Sequence, residues 1–168
     1  MKLKKIIECL ELWAPPIYQE SYDNSGLMVG DRDSVISGCL ISLDCTEKIV
    51  DEAIKKKCNL IISHHPIIFG GIKSVDISHW VGKVIRKAIL NNISIYALHT
   101  NLDNIKDGVN KKICDILNIK NTSWVSFRAP GATKKKKKKE RTDEKWCDIG
   151  VAPYTENYCA YSMAYYIG

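Results

Sequence analysis

The chain has 168 residues, of which 45% are apolar and 26% are charged, and these values suit one globular domain or one domain with a tail. No run approaches the ~18–20 consecutive apolar residues that a membrane-spanning helix needs, so the composition predicts a soluble protein without membrane partners. The net charge of +6 divides into +3 for residues 1–133 and +3 for the lysine-rich residues 134–168, so the body of the chain lacks the basic character of a specific nucleic-acid binder.

The first predicted element is an amphipathic helix over Leu3–Trp13, ended by a pair of prolines at positions 15 and 16. Because acidic residues interrupt its apolar part, this segment is not typical of a signal peptide. A polar loop follows, "YQESYDNSGLMVG", with a turn at Asn24–Gly26 that leads into a short apolar run. The first predicted strand is "VISGCLISLD", which ends at Asp44.

Strands and helices then alternate. Thr46 is placed to cap a helix over "EKIVDEAIKKK", and "CNLIIS" is typical of a strand buried on both faces. A helix around "SHWVGKVIRKAILNN", a strand "ISIYALHT" and a helix "GVNKKICDILNI" complete the pattern. This alternation predicts an α/β fold with a mainly parallel sheet flanked by helices.

The character of the chain changes after Trp124, and no helix is predicted beyond it. We therefore divide the chain into an α/β half-domain over 1–124 and a divergent tail over 125–168. The run "KKKKKK" is typical of a solvated, disordered tail, and non-specific phosphate binding is the alternative. Six lysine codons also imply an adenine-rich tract, so a third hypothesis is that the tail is translated out of frame.

Seven cysteines, at positions 9, 39, 45, 58, 114, 147 and 159, are scattered without a C-x-x-C pair. An odd number without the spacing of a small disulfide-linked scaffold favours free thiols in a reducing compartment. We accordingly predict a cytoplasmic protein.

Polar side chains follow three predicted strands at the point where each strand ends. Asp44 follows the first, His64 and His65 the second, and His99 with Asp103 the third. Because ligands of parallel sheets bind beyond the carboxyl ends of the strands, these side chains are expected to converge on one edge.

Imidazole and carboxylate groups suit divalent zinc, manganese, iron, cobalt or nickel. Adjacent His64 and His65 diverge on an extended strand, but they can both contribute from a loop or serve two neighbouring ions. Asp103 could bridge two such ions, and His99 is either a ligand or a group that orients one. The alternative is that the histidine pair marks no site. His79 is predicted to lie inside a helix as a surface residue.

Four segments resemble the Nif-three-like family, also called GTP cyclohydrolase I type 2 homologs. They are "YDNSGLMVG", "LISLDCTEKIVDEAI", "CNLIISHHPIIFGG" and "IYALHTNLDNIKDGVNKKI", and the resemblance covers about residues 3–124. It implies an α/β fold, a homohexameric ring and two divalent metal ions per subunit. The implied metal ligands are His64, His65 and Asp103, while His99 lines the same pocket. The segment from Asp23 to Leu27 matches a family motif near the site.

The chain departs from the family pattern in its second half. Family members complete the two-metal site with a His-x-x-x-Glu element near the carboxyl terminus, and no histidine follows His99 here. We therefore expect a truncated, hydrolase-like protein with an incomplete metal site, fewer than two ions and little activity. Catalytic residues are unknown. The alternative is a non-enzymatic metal-binding or protein-interaction module that keeps the self-association of the family.

Overall fold

Residues 1–122, the part of the chain that the computed structural model describes, contain four short strands and five α-helices. The elements are α1 (Leu3–Trp13), β1 (Gly26–Val29), β2 (Cys39–Ser42), α2 (Glu47–Lys55), β3 (Leu60–Ser63), α3 (Trp80–Leu90), β4 (Ser94–Ala97), α4 (Thr100–Asp103) and α5 (Val109–Ile116), with a 3-10 turn at Pro16–Tyr18. The predicted tail and its lysine run lie outside the described residues.

The strands form one sheet in the order β1-β4-β3-β2. β2, β3 and β4 pair in parallel, which is the pattern that helical crossovers between consecutive strands produce. β1 pairs antiparallel to β4 at the edge. The predicted α/β class with a mainly parallel sheet is confirmed.

Alternate residues of the central strands supply two apolar cores, one on each face of the sheet. Leu40, Ile61 and Ile95 are in register and pack with α2 and α3 on one face. Leu60 and Tyr96 belong to the other core, which is shared with α1. Both faces are covered, so the central strands consist almost entirely of buried residues, as the run "CNLIIS" predicted.

The predicted cap of α2 is present. Thr46 has an extended backbone, and its hydroxyl accepts a hydrogen bond from the N–H of Ile49. This cap fixes where the chain turns from the end of β2 into the helix, and therefore also where the residues just before it, including Asp44, are placed.

Three details differ from the sequence-based expectations. The predicted strand "ISIYALHT" extends through Thr100, whereas β4 ends at Ala97 and Thr100 begins the short helix α4. The apolar run at Gly26–Val29 is a strand, because β4 offers it an edge; four residues without alternation gave no strand signal. His79 precedes α3 as its N-cap residue rather than lying inside the helix, and its side chain is 80% exposed. Along residues 1–122, no helix has the length and apolar character needed to cross a bilayer.

Candidate metal centre

Three adjacent strands end at one edge of the sheet, and polar side chains follow each end. Asp44 lies after β2, His64 and His65 lie after β3, and His99 lies after β4. The parallel pairing continues beyond the strands, since the N–H of His64 donates to the carbonyl of Ser42 at 3.1 Å. The backbone of the histidine pair is therefore held against the neighbouring chain.

Three imidazole rings meet at this edge. The ring centroids of His64 and His65 are 5.1 Å apart, and that of His99 is 5.2 Å from His64 and 5.6 Å from His65. Each ring offers one nitrogen, and these three nitrogens all lie within 4.8 Å of one another. β3 ends at Ser63, so the two adjacent histidines lie in a bend and can face the same point.

Two of the rings are oriented by carboxylates. Nδ1 of His65 is 2.7 Å from Oδ1 of Asp44, and Nδ1 of His99 is 2.8 Å from Oδ1 of Asp23. Because a carboxylate only accepts hydrogen bonds, Nδ1 carries the hydrogen in both rings. Nε2 is then the nitrogen with a lone pair, and metal-binding histidines are commonly oriented in this way.

The carboxylate of Asp23 is completely buried among donors. Besides the ring of His99, it accepts hydrogen bonds from the backbone N–H groups of Asn24 and Thr100 and from the hydroxyls of Ser25 and Thr100. Burial alone raises the pKa of Asp23, but the hydrogen bonds from Thr100, His99 and Asn24 outweigh it and lower the pKa. The side chain is therefore an ionised acceptor that ties the loop before β1 to the start of α4.

His64 and Asp103 face each other within the cluster, with 3.9 Å between Nε2 and Oδ2. Burial lowers the pKa of His64, against the opposing effect of Asp103, so the ring stays neutral at pH 7. Burial raises the pKa of Asp103, although His64 and His99 act in the other direction. The buried Nδ1 of His64 has no hydrogen-bond partner of good geometry among the described residues, and the carbonyl of Leu98 contributes only the weakest effect on its pKa.

Aromatic side chains border the cluster. The ring of Phe69 meets the ring of His99 edge-on, with 5.9 Å between centroids and an angle of 87°. Tyr22 lies beside Phe69 at 6.2 Å. The side-chain amide of Asn24 donates a hydrogen bond to the carbonyl of Ile68 at 2.6 Å, which holds the backbone next to Phe69 in place. The cluster therefore has an apolar wall on one side.

The structure brings all four predicted site residues together, with Asp103 beside the three imidazoles rather than inside their nitrogen triangle. His79 lies elsewhere. Sequence reasoning placed Asp23 near the site but missed that it orients His99, and it gave Phe69 no role. A carboxylate 76 residues from its histidine leaves no signal in one sequence.

These residues fit a divalent metal ion. Neutral imidazole is the form that binds a metal, and three imidazoles beside one carboxylate suit borderline ions such as zinc. The Nδ1 groups of two rings are already satisfied, so coordination through Nε2 would break no existing hydrogen bond there. The cluster can therefore hold a metal, and nothing in its chemistry specifies which metal or how many ions.

A sequence model described as Duf34/NIF3 (NGG1p interacting factor 3) matches residues 1–156 of the chain. This span extends beyond the segments quoted above and into the residues that the structure leaves undescribed.

Curated relatives carry the name GTP cyclohydrolase 1 type 2 homolog. One from Clostridium acetobutylicum is 44% identical over 123 residues, covering 73% of this chain and 46% of the relative. One from Staphylococcus epidermidis is 42% identical over 126 residues, covering 75% of this chain and 34% of the relative. The chain thus spans less than half the length of these relatives.

Solved structures show the same fold. A Staphylococcus aureus protein matches with a TM-score of 0.71 at 42% identity, over 74% of this chain and 36% of that protein. A Bacillus cereus protein related to NIF3 matches with a TM-score of 0.69 at 40% identity, over 72% of this chain and 34% of that protein. The sheet and its flanking helices are therefore those of solved relatives.

Proposed function

The chain belongs to the Duf34/NIF3 family, and on that premise we propose that it binds a divalent metal ion at the imidazole cluster. The observation that carries the proposal is the convergence of three histidine nitrogens within 4.8 Å of one another. We assign His64, His65 and Asp103 as ligands, and His99 as a fourth ligand or as a group that orients one. Two carboxylates outside the cluster support this assignment, because they leave Nε2 of two rings as the basic nitrogen.

We propose that the metal is zinc, manganese, iron, cobalt or nickel, in line with the imidazole and carboxylate donors. When bound, such an ion stabilises developing negative charge and makes water more acidic, which is the chemistry of metal-dependent hydrolysis. The side chains of the protein would orient the ligands and keep them in the form that binds metal. Asp44 and Asp23 keep His65 and His99 in the orientation that metal binding needs, and burial keeps His64 neutral.

The reaction class is a further part of the proposal. The relatives' name, GTP cyclohydrolase 1 type 2 homolog, supports a hydrolase-like role. We propose fewer than two ions per chain and low activity, because residues 1–122 bring together a single cluster of groups that could hold a metal. A metal-binding module without catalysis is the second candidate, and the presence of one cluster of ligand groups among residues 1–122 favours it.

Self-association is proposed with the site. Large apolar side chains are exposed on residues 1–122, among them Leu12 at 85% and Ile116 at 73%, and a second copy could cover them. We also propose that the protein is cytoplasmic and that its α/β half-domain ends near Trp124. Light scattering on the purified full chain measures the mass in solution, and a monomer at micromolar concentration would refute self-association.

The metal proposal is tested on the purified full chain by elemental analysis and by calorimetric titration with Zn²⁺. We expect about one ion per chain, and loss of at least about 100-fold in affinity in H64A, H65A and D103N, which is more than the loss expected for an outer partner. H79A is the matched control, since His79 is 80% exposed and lies outside the cluster. Two tightly bound ions per chain would refute the one-ion proposal, and equal losses in H79A and H64A would refute the site.

A further inference from the structure

Thr100 follows His99 directly, begins α4, and is hydrogen-bonded to the loop before β1. Its backbone N–H donates to Oδ2 of Asp23 at 3.0 Å, and its hydroxyl donates to the same oxygen. The hydroxyl oxygen also accepts a hydrogen bond from the backbone N–H of Glu20 at 2.9 Å, across 80 positions of the chain. Thr100 therefore joins the residue after His99 to a distant loop through three hydrogen bonds.

The direction of the Thr100 hydroxyl hydrogen is fixed by its neighbours. A hydroxyl has one hydrogen to donate, a backbone N–H can only donate, and an ionised carboxylate can only accept. The N–H of Glu20 uses a lone pair of the hydroxyl oxygen, so the hydrogen points at Asp23. Threonine is also branched at Cβ, which restricts rotation about χ1. The hydroxyl is therefore a donor of set direction and not a freely rotating group.

The two oxygens of Asp23 consequently have different partners. Oδ2 accepts from both donors of Thr100 and from the hydroxyl of Ser25. Oδ1 accepts from the backbone N–H of Asn24 and from Nδ1 of His99. Because rotation of the carboxylate would break the bonds to Thr100, those bonds keep Oδ1 against the imidazole. The orientation of the His99 ring thus depends on a hydroxyl that acts through the carboxylate.

The backbone of α4 has a second attachment, through the completely buried Asn101. Its Oδ1 accepts from the backbone N–H of His99 at 3.0 Å, and its Nδ2 donates to the carbonyl of Ala14 at 2.8 Å, where α1 ends. Asn101 therefore holds the start of α4 independently of the Thr100 hydroxyl. We expect loss of that hydroxyl to act on the carboxylate of Asp23 rather than to displace the helix.

We propose that Thr100 is a positioning residue of the metal site, which acts through Asp23 to keep His99 in its Nδ1–H form. This role rests on the metal site of the proposed function and adds a residue to it. The Nδ1–H form leaves the lone pair on Nε2, and metal-binding histidines are commonly held in this way. Because the tautomer of His99 exists in the metal-free protein, the positioning role and the binding of metal can be measured separately.

Three substitutions at position 100 test this role in the full chain. Thr100→Val has nearly the same shape but lacks the hydroxyl, Thr100→Ala lacks it and leaves more space, and Thr100→Ser keeps it. At about pH 8, where an ordinary imidazole is neutral, long-range nitrogen–proton NMR correlations of the metal-free protein identify the His99 tautomer. We expect the Nδ1–H form in the wild type and T100S, and a mixture of both forms in T100V and T100A.

Calorimetric titration with Zn²⁺ supplies the second measurement. The zinc affinity of T100V and T100A should be about 10- to 100-fold lower than that of the wild type, the loss typical of outer partners of metal ligands. T100S should retain the wild-type affinity. Tyr96→Phe is the matched control, because it also removes a hydroxyl that donates to a carboxylate, at 3.3 Å from Oε1 of Glu11, and leaves the bonds of Asp23 in place.

Circular dichroism and urea denaturation establish that each variant is folded and how far its stability has changed. A wild-type tautomer in folded T100V and T100A would overturn the positioning role, even with reduced stability, while the metal site would stand. A mixed tautomer in T100S or Y96F would overturn it too, since the Thr100 hydroxyl is present in both. A mixed tautomer in T100V with unchanged zinc affinity would remove its connection to the metal. Absence of zinc binding in the wild type would refute the proposed function, and the tautomer would still decide whether Thr100 orients His99.

Discussion

The carboxylate of Asp23 is completely buried, and both of its oxygens accept hydrogen bonds from neighbouring donor groups. Oδ1 accepts from the N–H of Asn24 at 2.7 Å and from Nδ1 of His99 at 2.8 Å. Oδ2 accepts from the N–H of Thr100 at 3.0 Å and from the hydroxyls of Thr100 and Ser25. The substitution Asp23→Asn replaces one of these oxygens with an NH2 group of almost the same size.

Either orientation of the new amide places N–H against N–H. At the Oδ1 position the NH2 faces the backbone N–H of Asn24, and at the Oδ2 position it faces that of Thr100. A hydroxyl can rotate to accept, but a backbone N–H cannot. Leaving one buried donor unpaired costs about 1–3 kcal/mol, and the remaining bonds lose the strength that the charge gives them. We expect Asp23→Asn to lower the free energy of unfolding by about 3 kcal/mol, or about 10 °C in Tm.

Urea denaturation of the metal-free protein measures the stability change without a contribution from metal binding. Asp33→Asn is the matched control, since Asp33 is an exposed carboxylate paired with Lys2 and Lys4, and its substitution should leave the midpoint unchanged. If the two variants have the same midpoint, the role assigned to Asp23 is wrong.

A second measurement separates orientation of His99 from general stability. The Nδ1–H tautomer of His99 is expected in the wild type, and it is visible in long-range nitrogen–proton NMR correlations. In Asp23→Asn the tautomer should be mixed, and zinc affinity should fall about 10- to 100-fold, as for other outer partners of metal ligands. A folded variant with wild-type tautomer and affinity would contradict the orienting role.

Three further outcomes are expected. T46A should lower the free energy of unfolding by about 0.5–1 kcal/mol in urea denaturation, because the capping bond is long at 3.4 Å; no change would mean that the cap contributes nothing. At pH 8, iodoacetamide should modify exposed Cys9 but not buried Cys45, because burial raises the pKa of the Cys45 thiol to about 12. Peptide mass spectrometry measures the labelling, and modification of both cysteines at pH 8 would contradict the prediction. G30A should lower the free energy of unfolding by at least about 2 kcal/mol, because the φ of Gly30 is +127° and the new Cβ would lie 2.3 Å from the hydroxyl of Ser94. G70A is its control in the same denaturation assay and should match the wild type, because open space surrounds Gly70.

Local patterns predicted the main elements well because their causes are local. The apolar face of α1 and the capping hydroxyl of Thr46 depend on residues within one or two turns. The run "CNLIIS" indicated a strand buried on both faces, and β3 is that strand. The short strand β1 was missed, because what makes Gly26–Val29 a strand is the edge of β4, about 70 residues further along the chain.

The site likewise has features that depend on local sequence and features that depend on distant segments. His64, His65, His99 and Asp103 could be placed at one edge from sequence, because the carboxyl ends of parallel strands meet there. The resemblance to the Nif-three-like family pointed to the same residues, and membership of the family is confirmed. Their role as ligands stays a prediction until metal is measured.

Only the tertiary structure decided which groups orient these side chains and what lies beside them. The hydrogen bonds from His99 to Asp23 and from His65 to Asp44 join residues 76 and 21 positions apart, and the ring of Phe69 contacts His99 from another segment of the chain. Hydrogen bonds and ring contacts depend on distances of a few ångströms between segments, which a single sequence does not encode in any local period. The sequence determined the donors, and packing determined their geometry.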